Sequence, residues 1–170
     1  ISIDLIGIIR ACLSVVNPVF SIGRGMTIFF LKLLYKKNNY YTLKYTSIIS
    51  FILSFSFLWI WLIFPEKILD LTIGIKYIEY KNIITLLFLI PPFGNSISIA
   101  NSFLKYNNKF RPIYFSYIFT IIFLNLFILL NKNINFQPIQ ISLLILFTYI
   151  LNFIFINFGL LMNKNKLIKN

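Results

Sequence analysis

Histidine is absent from this 170-residue chain, cysteine occurs once, and Asp and Glu together number four. The side chains that could do chemistry are therefore few. Without histidine, the usual zinc, haem, non-haem iron and Ser-His-Asp arrangements are excluded. Cys12 lies in an apolar stretch and reads as a small buried hydrophobe, with no second thiol for an intrachain disulfide. Two ions, Asp4 and Arg10, stand inside an otherwise apolar segment. A charge at mid-bilayer costs at least ~2.5–3.5 kcal/mol, so such a residue faces a cavity or a partner. Arg10 has two readings: a cation lining a cavity, its forked donors matched to phosphate, or a structural residue that pairs with an acid or snorkels at a helix end. Asp4 does not share its helical face, because six residues is not a whole number of turns.

A second cluster lies in the uncharged run 83–104. Pro91 and Pro92 remove two amide donors and must bend or open a helix there, so they mark a hinge. Asn95, Ser98 and Ser102 follow at +4, +7 and +11 from Pro91, which is one helical stripe. The stripe either lines a polar cavity beside the hinge or is the ordinary small-polar glue of membrane helix packing. Asn125, Asn152 and Asn157 carry the same two readings, with packing ahead. Gly74 reads as the end of a short turn and Tyr77 as an interfacial anchor.

The elements that must position these groups follow from composition. The chain is 59% hydrophobic and 12% charged, with mean hydropathy +0.85. That is about half the charge of a soluble domain. Uncharged runs occupy 46–64, 83–104, 112–130 and 139–162, each about long enough to cross a ~30 Å hydrocarbon layer. With the first segment, spans at about 1–22, 46–64, 83–104, 112–130 and 139–162 predict a single all-α domain, a polytopic bundle of five membrane helices joined by short loops. The runs do not alternate polar and apolar residues, which argues against a β-barrel. Ile1 in place of Met, and no signal-peptide pattern, point to a piece of a longer protein.

The net charge of +12 belongs to the loops. Residues 24–44 carry five basic groups and no acid, 105–111 carry three and no acid, 131–138 carry one, and the tail after Met162 carries three. Between residues 65 and 82, Glu66, Asp70 and Glu79 balance Lys67, Lys76 and Lys81. The positive-inside rule then gives loops that alternate in, out, in, out, with a cytoplasmic C-terminus. Aromatic residues interleaved with the basic ones in 24–44 suit an anionic membrane face. No basic stripe stands clear of a membrane segment, so nucleic acid is not an expected partner.

Several motifs in order resemble one family. Asn17-Pro18-Val19-Phe20-Ser21 is similar to a Pro-x-x-Ser element followed by a basic amphipathic connection. Gly74-Ile75-Lys76-Tyr77 resembles a Gly-x-x-Tyr loop, Leu104 to Arg111 a short basic hinge, and Asn125 a mid-helix asparagine. Together, over residues 14–130, these look like the C-terminal half of the Wzx-type polysaccharide flippases of the multidrug/oligosaccharidyl-lipid/polysaccharide exporter superfamily. Many relatives carry glycines after the Asn-bearing helix, and 131–140 has none.

The resemblance implies a transporter of lipid-linked oligosaccharide in the bacterial inner membrane, serving O-antigen, capsule or exopolysaccharide assembly by alternating access. Arg10 would then hold the diphosphate of a polyprenyl carrier, with Asn95, Ser98 and Ser102 lining the path beside the Pro91-Pro92 hinge. Its expected partners are that carrier lipid, the bilayer and preceding helices of the same transporter. No cofactor or metal is expected, and no Gly-x-x-x-x-Gly-Lys loop is present for ATP. Alternatives are a polytopic glycosyltransferase or polymerase, a small-molecule exporter of the same superfamily, or a non-catalytic membrane subunit. An enzyme would need paired carboxylates, and the outer acids are scattered among lysines, so none is expected.

Overall fold

The structure, a computed structural model, describes residues 3–37, 40–130 and 137–162. In hydrocarbon every backbone amide must be satisfied within its own segment, and long Leu, Ile and Phe runs answer by forming helices. The order is α1 (Ile3–Lys37), α2 (Tyr40–Ile63), α3 (Pro65–Thr72), a 3₁₀ helix (Ile75–Tyr80), α4 (Lys81–Phe88), α5 (Ile90–Tyr106), α6 (Arg111–Leu130) and α7 (Pro138–Met162), with no strand among the described residues. Five stretches are long and apolar enough to cross a bilayer: Ile6–Leu34, Tyr40–Ile63, Ile75–Tyr106, Arg111–Leu130 and Pro138–Met162. The chain is a polytopic all-α membrane bundle.

The first helix is longer than its sequence suggests. Expected to end near residue 22, α1 continues to Lys37. Phe30 and Leu34 pack inward while Lys32 and Lys36 stay exposed, so the basic stretch extends the helix instead of ending it. Thirty-five residues make a rod of ~52 Å, well beyond the ~30 Å hydrocarbon layer.

The third span is interrupted ahead of its two prolines. Helix α4 ends at Phe88 and α5 begins at Ile90, with Leu89 N–H donating to the Leu86 carbonyl at 3.1 Å. Pro91 and Pro92 thereby fall in the first turn of a new helix, where a missing amide donor costs nothing. The far end of α5 closes in a Schellman motif. Lys109 N–H donates to Leu104 O at 2.8 Å and Asn108 N–H to Lys105 O at 3.0 Å, with Asn108 in the left-handed region at φ 53°.

Two apolar clusters hold the bundle, one toward each end. Cys12, Val16, Trp61, Leu69, Ile84 and Leu87 belong to the first, which lies on the side of the charge-balanced 65–81 segment. Trp61 Nε1 donates to Thr85 Oγ1 at 2.8 Å, and its ring stacks on Phe88 at 5.3 Å. Phe30, Leu34, Leu43, Phe103, Ile113 and Leu160 belong to the second, beside Lys36, Lys44, Lys105 and Arg111. Helix α5 is the axis: ten of its 17 residues are buried, against six of 24 in α2, four of 20 in α6 and five of 25 in α7. Helices α1, α2 and α7 pack on it, while α6 packs chiefly on α7.

Candidate functional site: a polar cleft and a polar stripe

Polar side chains on α5 go to two different places. Asn95 is 2% exposed and donates from Nδ2 to Ser54 Oγ on α2 at 2.7 Å. Its amide fills a notch at Gly23 of α1, where a Cβ would overlap it. Ser96 ties the same seam, its hydroxyl donating to the Ser47 carbonyl at 3.2 Å. This is packing between helices made close by small residues.

On the adjoining face of α5, from Gly94 to Lys105, the neighbours are α6 and α7, and the helices part. Ser98 and Ser102 line a cleft of about 510 Å³ with Asn101 and Lys105 of α5, Tyr117 and Thr120 of α6, and Thr148, Tyr149 and Asn152 of α7. Asn101 Nδ2 donates to the Tyr117 hydroxyl at 3.1 Å, while Asn101 Oδ1 has no partner. Asn152, only 9% exposed, likewise leaves its Oδ1 unpaired. The hydroxyls of Thr120 and Thr148 donate to their own helices, to Ser116 O and Leu144 O, both at 2.7 Å. They can offer a ligand only lone pairs. The cleft therefore presents two unpaired amide oxygens beside serine and tyrosine hydroxyls, and one cation, Lys105, toward the basic end.

Arg10 lies elsewhere, exposed on the outer side of α1. There it heads a stripe that its sequence context conceals: Arg10, Ser14, Asn17, Ser21 and Arg24, spaced 4-3-4-3 and all exposed. Outward faces of α2, α6 and α7 carry Ile52, Trp59, Ile118, Leu126 and Phe158 instead. Phe20 of α1, next to Ser21 of the stripe, packs its ring 6.3 Å from that of Tyr149, so stripe and cleft approach each other. The side chain of Asp4, the acid considered for Arg10, lies outside the described residues.

Of the residues singled out from sequence, Ser98 and Ser102 share the cleft, Asn95 belongs to the α1–α2 seam, and Arg10 belongs to the stripe. Asn101, Tyr117, Thr120, Thr148 and Tyr149 carry no site signal in the sequence, and Asn152, which carries both readings there with packing ahead, lines the cleft. Only its spacing could have flagged the α1 stripe. Asn125 is exposed on α6 and bonds its own helix at Ile121 O, 2.8 Å, and Asn157 does the same at Phe153 O, 2.8 Å. No group of three or more His, Cys, Asp or Glu that could hold a metal occurs among the described residues.

Comparison with protein-family models, with curated proteins and with solved structures finds no match.

Proposed function

We propose that this chain belongs to a membrane translocator that moves a lipid-linked oligosaccharide across the bacterial inner membrane by alternating access. The α1 stripe carries the reading. Two arginines, two serines and an asparagine exposed within one span would cost several kcal/mol against lipid. Such a face belongs against water or polar cargo. Guanidinium forks at Arg10 and Arg24 suit the diphosphate of a polyprenyl carrier. The hydroxyls and amides of the cleft suit sugar hydroxyls, which both donate and accept. By the positive-inside rule the basic end, with the C-terminus, is cytoplasmic. Without a nucleotide-binding loop, the driving force is an ion gradient, the membrane potential or consumption of the product.

Inactivating the gene in its host should strip surface glycan and accumulate lipid-linked oligosaccharide, measured in lipid extracts by mass spectrometry. Unchanged glycan and lipid pools would end the reading, and sensitivity to small toxic compounds with unchanged pools would favour a small-molecule exporter. Within the site, Arg10→Ala should lower export per inserted molecule at least about tenfold, the worth of one lost charge-assisted bond. Arg10→Lys should recover only part of it, because a point charge loses the bidentate geometry. Normal export per molecule in the Ala variant would remove Arg10 from the path.

A further inference from the structure

A second opening lies away from both stripe and cleft. Helices α2 and α7 pack on α5 yet scarcely touch each other, and the gap between them is a groove of about 390 Å³. Its deep end is three mutually packed rings, Phe51, Phe93 and Phe153, with centroids 5.4–6.4 Å apart. Leu160 and Ile48 continue the apolar wall toward the basic end. Lys44 lies at the mouth, one helical turn from Tyr40.

Dimensions and charge specify the occupant. From Tyr40 to Phe51 is eleven residues of α2, or ~16 Å of helix, and half of a ~30 Å hydrocarbon layer is ~15 Å. The groove is one leaflet deep. Its walls are chiefly aromatic and aliphatic, and the Ser96 hydroxyl and Asn157 amide there donate to Ser47 O and Phe153 O, so an extended peptide would leave amides unpaired, while a hydrocarbon chain loses nothing. Lys44 is exposed at the end of the bundle that also carries Lys32, Lys36, Lys105, Lys109 and Arg111, and no carboxylate lies at that end among the described residues. A lysine stem that snorkels to headgroup depth places its ammonium where a phosphate sits.

We propose that this groove binds one anionic glycerophospholipid from the leaflet at the basic end, an acyl chain against Phe51, Phe93 and Phe153 and the phosphate on Lys44. The site is independent of the transport reading, since none of its residues belongs to the stripe or the cleft.

The test reconstitutes the full protein in vesicles of equal phosphatidylethanolamine and phosphatidylglycerol, extracts it in mild detergent and counts retained lipids by native mass spectrometry. One phosphatidylglycerol per chain should be retained in preference to phosphatidylethanolamine. Lys44→Gln should lower that retention about fivefold, the effect of one lysine near an anionic surface, and Lys44→Arg should keep it. Ile48→Trp, which fills the mouth and leaves the charge, should lower it as well, whereas Ile118→Trp on the open side of α6 should not. Equal retention of both lipids, or retention indifferent to Lys44→Gln, overturns the proposal. So does protein taken from native membranes with a polyprenyl phosphate in the groove, which would assign it to the carrier lipid. Should Ile48→Trp fail to give monodisperse protein, the Gln and Arg variants decide alone.

Discussion

The two sides of α5 use the same residue types to opposite ends. Toward α1 and α2, Asn95 and Ser96 each find a partner across the seam, Ser54 Oγ and Ser47 O, and Gly23 lets the backbones close. Toward α6 and α7, Asn101 and Asn152 keep an unpaired oxygen in a cleft whose walls include Tyr117 and Tyr149. The neighbour decides the outcome. Small residues opposite an asparagine allow contact and satisfy it, whereas bulky rings hold the helices apart and leave the amide for something else. A buried amide oxygen without a partner costs ~1–3 kcal/mol, so the second side keeps a cost that the first has removed.

The largest effect should come from closing the notch. Gly23→Val drives a side chain into Asn95 and pries α1 from α5, at more than about 2 kcal/mol for an overpacked, backbone-limited contact. Loss of the monodisperse peak in detergent size-exclusion chromatography would register it. Gly25→Val is the control, because a Cβ there meets nothing within 4 Å. Equal behaviour of the two variants would break the claim that the seam is tight and the stripe open.

A paired substitution tests the contrast itself. Asn95→Leu strands the Ser54 hydroxyl and should lower stability by about 1–2 kcal/mol. Asn152→Leu removes an orphan oxygen and should leave thermal stability unchanged or raised while glycan export per molecule falls, the exchange of stability for function expected where a polar group is kept for a ligand. If Asn152→Leu destabilises as much as Asn95→Leu, the two sides do the same job and the cleft is packing.

How far this was readable beforehand follows from where each signal resides. Runs 112–130 and 139–162 lie within single helices, α6 and α7, because an uncharged apolar run carries its own instruction to span. The end of α1 was not readable: Lys32 and Lys36 sit on its exposed side, and a helix can leave a membrane with no change in its backbone. Pro91-Pro92 announced an interruption, but its position at Leu89 depends on the prolines serving as a first turn. In the site, one stripe was legible and its division was not. Asn95 and Ser98 are three positions apart, yet their partners are set by residues 41 positions away in one case and on α6 and α7 in the other. No local pattern encodes which neighbour is small.

The smallest effect concerns a place where, among the described residues, the tight side departs from its own rule. Ser50 of α2 is 0% exposed, in the buried row that runs through Thr46, Ser54 and Leu58, yet its Oγ has no hydrogen-bond partner. If the seam is packing alone, this hydroxyl contributes only volume, and Ser50→Ala trades a small gap for the removal of an orphan group. The two terms nearly cancel: a lost hydroxyl-sized volume costs up to about 1 kcal/mol, and relief of an unsatisfied group returns a similar amount. Thermal denaturation in detergent should therefore place Ser50→Ala within about 1 kcal/mol of the parent, with glycan export unchanged. A fall in export at constant stability would move Ser50 out of the seam and into the same class as Asn152, extending the ligand-facing surface onto the other side of α5.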